Sequence, residues 1–146
     1  MMTDKKTQFE YWMIDMDDSL ARFFNSWPED VRKKLNYSIE SLDAIEQLIL
    51  DMYKNSDEML APESTRMLDG FARYIGETIR KNIGGHWDIE LADPKYVYHG
   101  LPQLTGFAEK STPECPISLA TATASRRKGN YLRMIVNNMA KRYKKI

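Results

Sequence analysis

The segment from residue 66 to residue 91, RMLDGFARYIGETIRKNIGGHWDIEL, constrains the fold more than any other part of the chain. Apolar residues recur every three or four positions through its first two thirds, which predicts one long amphipathic helix. Gly84 and Gly85 follow directly, and glycine adopts without strain the left-handed conformation that ends many helices. The alternating stretch 86–91 then predicts a half-buried strand. The segment therefore predicts a helix that packs against a sheet.

The remaining sequence predicts more helix than strand. Apolar periodicity indicates three further helices, and Pro116 suits the first turn of a fourth, whose alanines and threonines would also fit a strand. The predicted helices cover 7–25, 38–54, 117–126 and 131–144, and the predicted extended segments cover 95–98 and 103–105. We therefore expect a single α+β domain over residues 1–146, predominantly helical, with a small antiparallel sheet of about three strands packed on the long central helix.

Composition narrows the class of protein. With 146 residues, 42% of them apolar and 11% aromatic, the chain is long enough to bury one core. No apolar run approaches the ~18 residues of a membrane-spanning helix, and the first residues contain no apolar signal segment. The single cysteine, Cys115, excludes an internal disulfide, and no Cys/His cluster indicates zinc. We expect a cytoplasmic protein with no cofactor and no membrane partner.

Charge is distributed unevenly along the chain although its formal sum is zero. Residues 1–73 contain 15 acidic and 9 basic side chains, whereas residues 74–146 contain 6 acidic and 12 basic ones. Glu114 is the last acidic residue, and eight lysines and arginines follow it. Such a separation can steer a charged partner, or it is neutralised when the two ends of the chain pack together. The sequence leaves both interpretations open.

The first predicted helix combines acidic and aromatic side chains. Aromatic anchors beside acidic groups are typical of surfaces that bind a basic protein, because the rings supply binding energy and the charges accelerate encounter. The active site of a nuclease toxin would be one such basic surface. The alternative is that Trp12 and Trp27 pack inside while the aspartates remain solvated. The candidate partner-binding residues are Glu10, Tyr11, Asp15, Asp17, Asp18 and Trp27.

Signatures of catalysis are weak. Glu77 can pair with Lys81 or Arg73 on the same helix, and a catalytic carboxylate would need a second acid, a base or a metal beside it. Cys115 follows the acidic Glu114, which opposes formation of a thiolate. The chain contains no phosphate-binding glycine loop and no nucleophile elbow. We expect no enzymatic activity.

A metal site is a weaker possibility. His86 and His99 would make a three-ligand site with Glu77 if neighbouring strands brought them together. Their spacing matches no metal-binding motif, so we expect no metal.

Four short motifs occur in order along the chain: YIGE at 74–77, GGHW at 84–87, PI at 116–117 and GNYL at 129–132. This series, within residues 35–145, resembles a loose group of small, mostly uncharacterised bacterial α+β proteins with a YxGE…GGxW…P…GxYL pattern. Some proteins of this group resemble immunity proteins of polymorphic toxin systems. The resemblance implies a shared fold and binding to a cognate toxin, while the first helix lies outside the pattern. The expected structural motif residues are Tyr74, Gly76, Glu77, Gly84, Gly85 and Trp87.

The basic C-terminal part of the chain gives an alternative function. The runs 126–128 and 141–145 would hold phosphates, with Tyr131 or Tyr143 stacking on bases. A helix dipole also favours basic residues at a C-terminus, so this signal is not specific.

Taken together, the sequence predicts a non-enzymatic, protein-binding immunity factor that covers the active site of a toxin. A nucleic-acid-binding module is the first alternative, and a small hydrolase or metal enzyme is the second. The sequence does not indicate the oligomeric state.

Overall fold

The computed structural model of the chain describes residues 4–144. Helices dominate this part of the chain, and two short strands form an antiparallel sheet. The helices are α1 (Lys5–Ile14), α2 (Met16–Asn25), α3 (Glu29–Arg32), α4 (Leu42–Met52), α5 (Ser56–Leu60), α6 (Thr65–Asn82), α7 (Pro116–Arg126) and α8 (Tyr131–Tyr143), with a 3-10 turn at Pro62–Ser64; the strands are β1 (His86–Asp88) and β2 (Gln103–Thr105). The α+β class expected from the sequence is therefore observed.

The long helix predicted from the apolar periodicity is α6, and it lies in the core. Its residues from Gly70 to Ile79 are all buried, because α2 and α5 pack against it together with α7. Phe71, Tyr74 and Ile75 are fully buried and join side chains from α4, α7 and α8 in one apolar core. A helix enclosed on several sides needs apolar or internally bonded polar residues around most of its circumference.

The first predicted helix is divided into α1 and α2 at Asp15, where the backbone departs from helical geometry. The hydrogen bonding nevertheless continues across this point. The Asp15 N–H donates to the Tyr11 carbonyl at 3.0 Å, and the Ser19 N–H donates to the Asp15 carbonyl at 2.8 Å. The two helices therefore follow one another with little interruption, and α2 supplies the buried residues that α1 lacks.

The sheet is smaller than the sequence indicated. In β1 and β2, Trp87 lies opposite Leu104, and a single bridge between Leu104 and Glu114 stands where a third strand would lie. The predicted extended segment 95–98 forms turns instead. Glu90 explains this difference. Its carboxylate accepts the N–H groups of Ala92 and Asp93, and its carbonyl accepts the Gly100 N–H at 2.9 Å, so the chain closes a loop over this segment.

Two long-range polar contacts join α4 to the C-terminal helices. Glu46 of α4 is fully buried and accepts the N–H groups of Tyr131 and Leu132, at 3.1 and 2.9 Å, at the start of α8. Arg127 follows α7 with a left-handed backbone, and its guanidinium donates to the carbonyls of Leu50 and Tyr53 near the end of α4. Buried polar groups must be paired, and these contacts satisfy helix ends that would otherwise be orphaned.

Helix α4 begins later than predicted. Ser38 accepts the Ser41 N–H at 3.1 Å within a turn, and the helix itself starts at Leu42. Among the helices of residues 4–144, none combines the length and the apolar character needed to cross a bilayer.

Candidate protein-binding surface

The outer side of α1 carries two apolar side chains that the described chain leaves largely uncovered. Tyr11 is 63% exposed and Ile14 is 79% exposed, three positions further along the helix. Phe9 and Trp12 point the other way and pack against the core. Neighbouring exposed apolar residues on one helix form a surface suited to contact with another molecule.

Acidic residues surround this apolar pair. Glu10, Asp17 and Asp18 are exposed, and no hydrogen bond or ion pair engages their carboxylates within residues 4–144. Helix positions seven residues apart lie on the same side, so Asp17 lies beyond Glu10 and Asp18 lies beyond Tyr11. We call this surface the α1–α2 face; it consists of Glu10, Tyr11, Ile14, Asp17 and Asp18.

Two residues predicted for partner binding are engaged elsewhere. The Asp15 carboxylate is bonded to the Arg22 guanidinium at 2.7 Å, which reduces its charge as seen by a partner. Trp27 is half-buried, with ring centroids 5.7 Å from Phe23 and 6.0 Å from Phe71. Its indole therefore packs on the core, as the alternative interpretation of the sequence expected for this residue.

Buried polar contacts hold the α1–α2 face in place from behind. The indole Nε1 of Trp12 donates to the Asp69 carboxylate of α6 at 2.7 Å. Arg73, only 3% exposed, bonds the same carboxylate at 2.7 Å and donates to the Trp12 carbonyl at 2.9 Å. Its guanidinium also lies 4.1 Å from the centre of a Trp12 ring. A charged, partly buried network of this kind fixes the orientation of α1 on α6.

A cavity lies on each side of the α1–α2 ridge. The first, of about 420 Å³, adjoins Ile14 and Asp17 and reaches the α6–β1 junction. The second, of about 820 Å³, lies between α2 and the start of α6, with Phe23 and Met67 among its lining residues. A helical ridge between two cavities can fit into a complementary surface of a partner, which increases the area available for contact.

The α6–β1 junction contains the motif residues and is a separate, structural site. Glu77 accepts two hydrogen bonds from Arg80, at 2.7 and 3.1 Å, and one from the Trp87 indole at 3.0 Å. The partner on its helix is therefore Arg80, not the predicted Lys81 or Arg73. Burial raises the pKa of the Glu77 carboxyl, but the hydrogen bonds from Arg80 and Trp87 and the nearby positive charges outweigh it, so the net pKa is lowered.

Glycine at position 76 allows Trp87 to reach α6. A β-carbon on Gly76 would overlap the six-membered ring of Trp87 and press on Pro116. The indole ring of Trp87 therefore lies directly against α6 at this glycine. Gly84 and Gly85 have φ angles of 116° and 83°, which agrees with the predicted helix end and reverses the chain into β1.

The buried Tyr74 links α6 to the turn before α4. Its hydroxyl lies 2.6 Å from the Ser41 hydroxyl and accepts the Tyr37 N–H at 3.0 Å. The Tyr37 ring stacks on it with a centroid separation of 4.8 Å. All of its polar capacity serves packing, which agrees with a structural role.

The candidate metal and nucleophilic residues do not assemble into one centre. His99 is bonded to Glu90 at 3.2 Å, while His86 is exposed beside the cavity that Glu77 lines. Within residues 4–144, no group of three or more His, Cys, Asp or Glu side chains is arranged to hold a metal ion. The Cys115 thiol is buried, and burial raises its pKa, which opposes thiolate formation.

The basic residues considered for nucleic-acid binding are divided between the two ends of α8. Arg126 lies over the Tyr131 ring at the start of α8, and the Arg127 guanidinium is committed to backbone carbonyls. Lys141 and Arg142 lie in the last turn of this 13-residue helix, which is about 20 Å long. The two basic groups do not form one compact patch.

Sequence reasoning missed three residues of importance. Ile14 was not among the candidate partner-binding residues, although it lies away from the apolar side of the helix, which carries Phe9, Trp12 and Met13. Glu46 looked like any acid in an amphipathic helix, and Arg127 looked like part of a basic run. The hydrogen-bond partners of Glu46 and Arg127 lie more than 70 residues away along the chain, so no local sequence signal identifies these two roles.

No protein-family model, no curated protein and no solved structure matches this chain. The resemblance drawn from its short motifs therefore remains a prediction.

Proposed function

We propose that this chain is a non-enzymatic protein that binds another protein, and that it serves as a bacterial immunity factor by covering the active site of a cognate toxin in the cytoplasm. The observation that carries this proposal is the α1–α2 face, where exposed Tyr11 and Ile14 are surrounded by carboxylates without partners in the described chain. The motif resemblance adds the expectation of a toxin as the partner.

The chemistry of the α1–α2 face selects a basic partner. Tyr11 and Ile14 would supply the apolar contact at the centre, and Glu10, Asp17 and Asp18 would pair with lysine or arginine around it. Opposite charges also accelerate association, which suits a protein that must reach its target before damage occurs. A toxin that acts on nucleic acid carries such a basic surface, because its active site has to attract phosphate.

The anchoring of α1 supports tight binding. The Trp12–Asp69–Arg73 network holds the face on α6 before any partner arrives. A preorganised surface loses less conformational entropy on association than a mobile one, so more of the contact energy becomes affinity.

Co-expression with the product of the adjacent gene tests the proposal. We expect a stable complex and rescue of growth by the wild-type chain. Replacing Tyr11 and Ile14 together by alanine, or Asp17 and Asp18 together by lysine, should abolish the rescue while the variant remains folded. Val97→Ala is the matched apolar control, because Val97 is 77% exposed on a different part of the surface.

A different outcome would replace the proposal. If the purified chain forms no complex, yet binds a DNA or RNA oligonucleotide with an affinity that falls steeply with salt, the nucleic-acid alternative is correct. That binding would then have to weaken in Lys141→Gln and Arg126→Gln variants.

A further inference from the structure

Few ion pairs join the acidic first half of the sequence to its basic second half in the described part of the chain. Among the ion pairs of residues 4–144, Asp43 with Arg133, at 2.9 Å, joins an acid of the first half to a base of the second. The other pairs, apart from the protonation-dependent His99–Glu90 contact, connect residues close together on the same or adjacent helices. Ion pairing within the described residues therefore leaves many charged side chains of both halves available to other molecules, although Arg142 also acts on Glu114, where its positive charge opposes the rise in pKa caused by burial.

Helix α8 presents an exposed side that complements the α1–α2 face. Met134 is 41% exposed, and Asn138, Lys141 and Arg142 are exposed further along the same helix. Positions spaced by three, four and seven residues lie on one side, so these four side chains form a continuous row. We call this row the α8 stripe; it consists of Met134, Asn138, Lys141 and Arg142.

The two surfaces also match in spacing. On the α1–α2 face, Tyr11 and Asp18 are seven positions apart, and on the α8 stripe Met134 and Lys141 are seven positions apart. Seven helical residues correspond to about 10 Å along the axis. With the helices side by side and parallel, the apolar residues of both surfaces would meet while carboxylates meet ammonium and guanidinium groups.

One molecule does not bring these surfaces together. Helix α2 packs mainly on α6, whereas α8 packs mainly on α4 and α7. In the described part of the chain, no hydrogen bond, ion pair or ring contact joins the α1–α2 face to the α8 stripe. The complementary surface for each end of the molecule is therefore found on a second copy.

We propose that this chain associates with itself head to tail, with the α1–α2 face of one copy on the α8 stripe of the next. Such a heterologous contact leaves one face and one stripe free at the ends, so it continues into short oligomers or closes into a ring. A formal net charge of zero means that no overall repulsion opposes the assembly.

Self-association would regulate the proposed function. If the α1–α2 face binds a toxin, then a neighbouring copy covers that face until the toxin displaces it. This consequence rests on the proposed function, whereas the association itself does not.

Sedimentation of the purified chain tests the association directly. We expect a weight-average mass that rises above 17.0 kDa with concentration at low ionic strength and returns to the monomer value in about 0.5 M salt, where screening acts over a few ångströms. Reversing Asp17 and Asp18 to lysine, or Lys141 and Arg142 to glutamate, should each weaken the association at least about tenfold.

A mixture of the two reversed variants provides the decisive measurement. Their altered surfaces are again complementary, so we expect the mixed oligomer to form although each variant alone does not. The control carries Asp30→Lys and Asp57→Lys, two exposed acids on other elements, and has the same change in net charge. Because both proposed contact surfaces are unchanged in this control, the control alone should associate as the wild type does, whereas the Asp17→Lys, Asp18→Lys variant with the same net charge should not.

Several results would overturn the inference. A monomer at every concentration in low salt would reject self-association outright. Association that survives both reversals, a matched mixture that does not associate, or a control that loses association as fully as the Asp17→Lys, Asp18→Lys variant would show that these two surfaces are not the contact. Growth rescue in co-expression does not depend on any of these outcomes, so the proposed function can fail or stand separately.

Discussion

At the α6–β1 junction an acid and an aromatic ring, Glu77 and Trp87, are buried and bonded to each other, whereas on the α1–α2 face Glu10 and Tyr11 are exposed without such a contact. The residue types are similar, and the burial is opposite. At the junction, bonded polar groups hold the fold together. On the face, the same kinds of group remain available to another molecule. Position relative to the core, more than residue type, therefore decides which role an acidic and an aromatic residue have.

Removal of the Trp87 side chain should give the largest effect on stability. Trp87→Ala leaves a cavity against α6 and deprives Glu77 of a donor, so we expect the free energy of unfolding to fall by about 3–5 kcal/mol. Urea denaturation measures the change. The Trp87→Phe variant keeps a ring but loses the indole N–H, so its free energy of unfolding should lie between those of the wild type and Trp87→Ala. A loss below about 1 kcal/mol in Trp87→Ala would contradict the assigned packing.

A smaller effect is expected from the glycine that Trp87 covers. Gly76→Ala should destabilise the protein by about 1–3 kcal/mol, because the new methyl group occupies space filled by the indole. In the Trp87→Ala background the same substitution should become neutral or stabilising, since alanine favours a helix over glycine by about 0.5–1 kcal/mol. A double-mutant cycle measures this coupling, and additive effects would refute the contact.

The pH dependence of stability tests the state of Glu77. Its folded pKa is lowered from the usual 4.5, so the ionised group stabilises the fold above that pH, and the contribution is lost as pH falls through the folded pKa. We expect the free energies of unfolding of the wild type and Glu77→Gln to converge as pH is lowered from 6 to 3. Parallel curves over this range would mean that the carboxylate is not selectively stabilised.

The α1–α2 face should show the smallest effect on stability. Ile14→Ala and Asp17→Lys change exposed side chains, so we expect the free energy of unfolding to change by at most about 0.5 kcal/mol. Both variants should nevertheless impair growth rescue by the co-expressed chain. If either variant unfolds the protein, then the α1–α2 face contributes to stability as the α6–β1 junction does, and the difference proposed between the two regions is wrong.

The sequence predicted those parts of the fold that depend on neighbours along the chain. The position of α6, its end at Gly84 and Gly85, and the start of α7 at Pro116 follow from periodicity and from the φ preferences of glycine and proline. The prediction of an extended segment at 95–98 was wrong, because its alternating residues gave a strand signal, whereas the bonds of Glu90 to His99 and Gly100 close a loop around them.

The acidic face could be predicted in part. The observed exposure of Glu10, Tyr11 and Asp17 is consistent with their positions off the apolar side of the first predicted helix. Trp27 was a candidate partner-binding residue, with packing inside as the alternative, and Ile14 was not a candidate at all. The structure turns Trp27 inward and leaves Ile14 in solvent.

By itself the sequence determined the helical character of this chain, its glycine-terminated central helix and its division into an acidic and a basic half, because each depends on local spacing or on composition. Only the tertiary structure decided that Glu46 holds α8 from 85 residues away, and that Arg127 serves helix carbonyls instead of an open basic surface. Pairings of this kind depend on which distant segments meet in the core. That choice results from the packing of the whole chain, so no short stretch of sequence contains it.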